Sequence, residues 1–282
     1  MQLGAMIFST GYTIAVDELA KELEDRGYES LFVPEHTHIP ASRESAWPGG
    51  ADLPREYWNT YDPFVSLSFA AAATKHLKLG TGICLLPQRD TIVTAKLVAS
   101  LDRLSGGRFI FGIGGGWNKE EMAHHGTAYK TRFARMEEQV LAMKALWTEE
   151  AAEFHGAHVD FSPSWAEPKP LQTPHPPVVL GGETDYTLDR IARYCDGWLP
   201  RARHGFDARE NMARLHRMAE QHERDPAELS VSVFGAPPDA NALAGYREAG
   251  VTRAILGLPS ADRDTVLSTI DKLDEVRSNL TG

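Results

Sequence analysis

Short apolar runs alternate with amphipathic helical stretches along nearly the whole of this 282-residue chain, and no other feature constrains its fold as strongly. Strand-like runs lie at 2–8, 30–36, 77–87, 108–113, 178–182, 197–200, 229–235 and 253–259. A helical stretch follows each one. The first, AVDELAKELEDRG, sets Val16, Leu19, Ala20 and Leu23 at helical spacing and stops at Gly27. Further helices are expected at 62–75, from Thr91, from Asn118 (short), from Arg132 to Phe154 (long), at 184–194, over DARENMARLHRMAEQHE, over DANALAGYREAG, and from beyond 259 to about Leu280. Strands that alternate with helices pair in parallel through right-handed crossovers. About eight such units predict an α/β fold, a (β/α)8 TIM barrel, with 1–282 as one domain. A doubly wound open sheet is the structural alternative, but it usually has fewer strands in one domain.

Two segments interrupt the alternation. Residues 37–61 hold Pro40, Pro48, Gly49, Gly50 and Pro54 together with Trp47 and Trp58. Loops of this length are functional or disordered, and the tryptophans argue for an ordered lid. Residues 155–177 are proline-rich, with a short strand expected at 157–161.

Acidic residues outnumber basic ones by 39 to 29, so the net charge is −10. Nucleic acid and anionic membranes both need clustered Lys and Arg, and neither is an expected partner. The two cysteines, Cys84 and Cys195, lie far apart and read as small core residues of a reducing compartment. The N-terminus has no basic region before its short apolar run, and a cytoplasmic protein is expected.

Chemistry on a barrel sits at the C-terminal ends of the strands. Those ends nominate Glu35 and His36, then Gly82, Ile83 and Cys84, then Gly114, Gly115 and Gly116, then Gly181 and Gly182, and finally Arg201. A glycine run before a helix lets backbone N–H groups approach a phosphate or a flat cofactor. A tight, crowded turn is the other reading. The dinucleotide pattern GxGxxG does not fit, because Trp117 and Lys119 occupy its last position in the two possible registers. His36 beside Glu35 reads as a proton donor or cofactor contact, or else as a structural histidine. His36 and His38 form an H-x-H pair of the kind metal hydrolases use, but no later strand clearly ends in His or Asp, and no metal site is expected. The cluster RARH at 201–204 reads as a solvated face, or as Arg201 or Arg203 meeting an anion. Trp47, Trp58 and Trp117 read as core, interface or pocket residues.

Taken in order, LFVPEH, LGTGICLLPQRD, LDRLSGGRFIFGIGGGWNKEEMAHHG, RMEEQVLAMKALW, PKPLQTPHPPVVLGG and RIARYCDGWLP resemble the luciferase-like monooxygenase superfamily, specifically its F420-dependent oxidoreductase branch. The resemblance spans residues 1 to about 260, and the block around Gly114 is its most specific part. It implies a cofactor at the barrel mouth, either the deazaflavin coenzyme F420 or, alternatively, FMN. It implies that His36, preceded by Glu35, lies near the reactive ring and takes part in proton transfer or substrate contact. A bulge behind the ring, with a non-proline cis peptide at Gly82–Ile83, is implied too. Gly114, Gly115 and Gly116 would flank the cofactor's side chain and phosphate, Gly181, Gly182 and Glu183 would supply N–H groups to that phosphate, and Arg201 would add an anion contact. The expected activity is hydride transfer between F420 and a small organic substrate. An FMN-dependent monooxygenase fed by a partner reductase is the alternative, with a metal hydrolase and a non-catalytic cofactor-binding protein as further ones. A flavin or F420 reductase would be the electron source, and a homodimer is expected from the family.

Overall fold

The computed structural model describes residues 1–50, 52–202 and 206–281, with side chains through residue 278 apart from those at 51 and 203–205. Its elements run β1 (Gln2–Met6), α1 (Val16–Asp25), β2 (Ser30–Val33), α2 (Glu56–Asn59), α3 (Pro63–Ala73), β3 (Lys78–Thr81), α4 (Thr91–Leu104), β4 (Phe109–Ile113), α5 (Lys119–His124) and α6 (Arg132–Thr148). They continue with β5 (Ala152–His155), β6 (Asp160–Ser164), β7 (Val178–Gly181), α7 (Asp185–Tyr194), β8 (Gly197–Leu199), α8 (Ala208–Gln221), β9 (Ser230–Ala236), α9 (Ala240–Glu248), β10 (Arg253–Gly257) and α10 (Arg263–Thr281). The eight predicted strands close into a parallel barrel in the order β1-β10-β9-β8-β7-β4-β3-β2. The barrel alternative to an open sheet is therefore the observed one.

Burial explains why these runs are strands. Phe32, Ile110, Val179, Leu199 and Ile255 fill the barrel interior, with Met6, Ile83 and Phe234 packed against them. Alternate residues of the same strands, such as Leu31, Phe109, Phe111, Val178 and Leu180, face the larger core under the helices. The helices begin on the side where the strands end, and short polar side chains start them. Asp62 accepts from the N–H groups of Phe64 and Val65, Asp90 from Val93, Asn118 from Glu121, and Thr184 from Thr187. At the opposite end of the barrel, Arg253 donates to Glu29 from Nε at 2.6 Å and from the adjacent guanidinium nitrogen at 2.5 Å. Burial pushes the Glu29 carboxyl up, but this guanidinium outweighs it and holds the group at about 2.

Several boundaries differ from expectation. The long helix α6 stops at Thr148, not at Phe154, because Glu149 is extended. Phe154 instead sits in β5, opposite Phe161 of β6 in an antiparallel hairpin. The expected strand at 157–161 begins only at Asp160, since Glu138 of α6 accepts from the N–H groups of Ala157, His158 and Val159 and makes that stretch a turn. Strand β3 ends at Thr81, where the next peptide, Gly82–Ile83, is cis, and Leu86–Gln88 form a 3-10 turn. The proline-rich return is fixed by buried Asp102, which accepts from the N–H groups of Leu171 and Gln172 at 2.7 and 2.9 Å. Among the described residues, no helix is long and apolar enough to cross a membrane.

Candidate active site

The mouth of the barrel holds a cleft of about 760 Å³. Its floor is made where β3, β4 and β7 end. Ile83 follows the cis peptide and points at the glycines beside it. A Cβ on Gly114 would come within 1.9 Å of Ile83 Cδ1, and one on Gly181 within 3.3 Å of Ile83 Cγ2. A Cβ on Gly82 would reach the Phe234 ring at 2.8 Å, and one on Gly115 the Phe133 ring at 2.6 Å. Gly116 has φ +71° and Gly182 φ +127°, conformations that favour glycine. The crowded-turn reading of the glycine run is the one observed: the backbone is crowded by side chains behind it, and the cleft in front stays open. Gly112, two residues before Gly114, is structural, since a Cβ there would meet the Thr81 carbonyl oxygen at 1.9 Å.

His36 and Glu35, adjacent in sequence, turn to different tasks. The His36 ring lines the cleft, and its Nδ1 lies 2.8 Å from Oε2 of Glu121, which is 0% exposed. A carboxylate accepts only, so Nδ1 carries the proton and Nε2 is the nitrogen left for a ligand. The other carboxylate oxygen of Glu121 accepts from the Thr37 N–H at 3.2 Å. Glu35, the other residue of the expected pair, lines the same cleft. Its carboxylate accepts from the Leu85 N–H at 2.6 Å and from Arg89 Nε at 2.7 Å, and Arg89 also binds Asp62. Glu35 therefore ties the end of β2 to the bulge after β3.

Glu121 escaped the sequence reading because it stands three residues after the Asn118 cap. A glutamate there reads as the second half of a capping box, folded back on its own helix. Asn118 does accept from the Glu121 N–H at 3.0 Å, but the carboxylate crosses to His36.

The H-x-H pair is split. His38 lies outside the cleft, stacked on His124 with Nε2 2.8 Å from His124 Nδ1. Among the described residues, no group of three or more His, Cys, Asp or Glu is arranged to hold a metal ion.

At the far end of the cleft stand two arginines that sequence patterning did not single out. The guanidiniums of Arg132 and Arg190 lie 4.3 and 4.2 Å from the Phe133 ring centre. Each donates to one carbonyl, Arg132 to Tyr129 at 2.7 Å and Arg190 to Tyr186 at 3.0 Å. Arg132 Nε is buried without a hydrogen-bond partner. Among the described residues, neither guanidinium has a carboxylate within ion-pair distance. Burial, with the neighbouring Arg190 charge adding to it, pulls the Arg132 guanidinium below its ordinary value. The α7 N-terminus, with Thr184 and Thr187, borders the same end. Arg201 lines the cleft, but Glu183 takes both arms of its guanidinium at 2.7 Å. Arg203 and His204 of the RARH cluster lie outside the described residues.

Aromatic side chains form the near end. Tyr57 packs on Phe8 at 4.7 Å and on His36 at 5.3 Å, and Trp117 meets His36 edge-on at 5.8 Å. Trp47 packs behind Tyr57 at 5.6 Å, whereas Trp58 is largely exposed. The 37–61 segment is tied over the mouth by Tyr61 N–H to the Ser9 carbonyl and by Lys119 N–H to Ser45 Oγ, at 2.9 and 3.0 Å.

Comparison with known proteins bears on this site. Residues 8–257 match the protein family described as luciferase-like monooxygenase. An uncharacterized protein of Mycobacterium tuberculosis (strain ATCC 25618 / H37Rv) is 38% identical over 278 residues, covering 97% of each chain. The FMNH(2)-dependent dimethylsulfone monooxygenase of Pseudomonas putida is 29% identical over 242 residues, covering 77% of this chain and 66% of that one. The structure of the coenzyme F420 dependent tetrahydromethanopterin reductase from Methanopyrus kandleri superposes with a TM-score of 0.76 at 16% identity, covering 99% and 98% of the two chains. That last likeness is one of fold.

Proposed function

The chain belongs to the luciferase-like monooxygenase family, and from that premise we propose that it transfers hydride between the deazaflavin coenzyme F420 and a small organic substrate. One observation carries the reading. A single cleft joins a buried His36–Glu121 pair, across a glycine-lined floor, to two arginines that have no carboxylate partner among the described residues. The floor suits a flat ring, because Gly82, Gly114, Gly115 and Gly181 line it with backbone that carries no side chain. The far end fits an anionic tail, because the guanidiniums of Arg132 and Arg190 and the α7 N-terminus all border it.

Such a cofactor, when bound, supplies or accepts hydride at a substrate carbon, and the protein supplies the rest. Arg132, Arg190 and Thr184 would hold the tail. Ile83, Leu199 and Phe234 would support the ring, and the rings of Tyr57 and Trp117 exclude water from the substrate side. Glu121 fixes the tautomer and orientation of His36, so that Nε2 holds or moves a proton at the substrate oxygen. The FMN alternative uses the same groups, and the FMNH(2)-dependent relative from Pseudomonas putida keeps it in play.

The test separates binding from chemistry. Arg132→Ala and Arg190→Ala each remove a charge-assisted contact of about 1.5–3 kcal/mol, which weakens F420 affinity by roughly 10- to 100-fold while turnover at saturation stays near wild type. His36→Ala does the reverse. Equal losses of affinity and turnover in His36→Ala would overturn its role.

A further inference from the structure

We propose that Thr37, with His38, His124 and His125, is a positioning unit for the His36–Glu121 pair: it zips the end of β2 to α5 and so holds the Glu121 carboxylate on His36 Nδ1. The inference rests on the role given to His36 above and extends it to residues outside the cleft. Two short segments face each other, 36–38 and 121–125. At the inner end His36 Nδ1 lies 2.8 Å from Glu121 Oε2, and the Thr37 N–H donates to Glu121 Oε1 at 3.2 Å. At the outer end Thr37 Oγ1 lies 2.7 Å from His125 Nε2, and His38 Nε2 lies 2.8 Å from His124 Nδ1. A further contact, Thr37 Oγ1 to His38 Nδ1 at 2.9 Å, joins the two outer links into one chain. His124 ends α5 and His125 is its C-cap. They follow Glu121 by one helical turn, so all three reach the same neighbour from one face.

The outer chain is complete without any charge. Each link needs one hydrogen between its two atoms. A neutral imidazole carries one N–H and one acceptor nitrogen, and a hydroxyl both donates and accepts. The three rings and the hydroxyl therefore run head to tail. His124 Nδ1–H donates to His38 Nε2, His38 Nδ1–H to Thr37 Oγ1, and the Thr37 O–H to His125 Nε2, or the whole order reverses. Position 37 must both give and take a hydrogen, and valine, of the same shape, does neither. A helix of 6 residues does not hold itself in water, so the place of α5 depends on its ties. Asn118 caps its start, and the histidine chain ties its end. The inner end is buried, with Glu121 0% and His36 8% exposed, but the bond from the Thr37 N–H is long. The outer rings are more open to water, so each outer bond is weak alone, and joining them in one chain makes them act together. The H-x-H at 36–38 and the adjacent histidines at 124 and 125 thereby share one task.

The test reads the His36 ring directly, on the full chain without cofactor, by NMR of protein with isotope-labelled histidine nitrogens at about pH 8, where free imidazoles are neutral. The His36 signals are identified by their loss in His36→Asn. Wild type is expected in the Nδ1–H form. Thr37→Val is expected to shift the tautomer ratio about three- to tenfold towards Nε2–H, the loss of about one net hydrogen bond, and Thr37→Ser to restore it. His125→Phe is expected to move the ratio the same way. Thr37→Val together with His125→Phe should move it no further than the larger single change, because both break one chain. A wild-type ratio in Thr37→Val overturns the proposal, as does a double variant that shows the full sum of the two single effects, or a wild-type His36 that is mainly Nε2–H. The expected shift in a protein that does not bind F420 overturns the cofactor reading and leaves the positioning unit standing.

Discussion

Replacing Glu121 by alanine is the most informative single change in this protein. The carboxylate accepts from His36 Nδ1 at 2.8 Å and from the Thr37 N–H at 3.2 Å, and it is 0% exposed. Its removal leaves two donors without partners, one of them deep in the site. An orphaned buried donor costs about 1–3 kcal/mol. The Thr37 contact is longer and only partly buried, so a total of about 2–4 kcal/mol is expected. For a chain of this size that lowers the melting temperature by roughly 4–8 °C, at about 2 °C per kcal/mol. The larger effect falls on chemistry. Acid–base catalysis contributes about 10²- to 10⁴-fold, and an imidazole free to rotate and change tautomer forfeits much of it. Turnover should fall by about 10²-fold, with cofactor affinity within about threefold of wild type, because Arg132 and Arg190 are untouched. Glu121→Gln keeps one acceptor and should lie between. Thermal melts, cofactor titrations and steady-state rates on the three proteins check this. Wild-type turnover in Glu121→Ala would refute the assignment of Glu121 as the group that positions His36.

Two further predictions concern stability. Gly112→Ala drives a Cβ to 1.9 Å from a backbone carbonyl oxygen and should destabilise by more than about 3 kcal/mol, whereas Gly245→Ala in α9 meets nothing within 4 Å and should stabilise by about 0.5–1 kcal/mol; urea melts of both variants decide. Glu29 has its carboxyl lowered from 4.5 to about 2 by Arg253, so the pair's contribution of about 3 kcal/mol is complete above pH 4.5 and is lost as pH falls towards 2. Glu29→Gln should flatten that part of the stability curve, and a variant that loses stability with acid as steeply as wild type would contradict the linkage.

The barrel was legible because its signal is local and repeated. Strand-sized apolar runs such as FIFGI and VVLG, each followed by a capped amphipathic helix, force a parallel sheet whatever the loops do. Strand ends then nominate a mouth, and His36 with the glycines of β4 and β7 does line one cleft. What stayed hidden depends on which side chains closure brings together. Glu121, Arg132 and Arg190 all lie on helical stretches, where a charged residue reads as a solvated face or a cap. Glu35 and Arg201 stood out for the opposite reason. Their positions at strand ends look catalytic, but pairing with Arg89 and Glu183 is a tertiary fact. The overlong expectation for α6 failed in the same way, since EFH at 153–155 reads on from a helix but pairs with the β6 strand.

The central proposal is that this cleft holds a deazaflavin by its anionic tail. Equilibrium titration of the purified protein with F420 and, separately, with FMN, followed by fluorescence, tests it most directly. The account predicts F420 binding tighter than FMN binding, and F420 binding weakened roughly 10- to 100-fold in Arg132→Ala. Tight FMN binding with weak F420 binding would contradict it and turn the site towards oxygen chemistry.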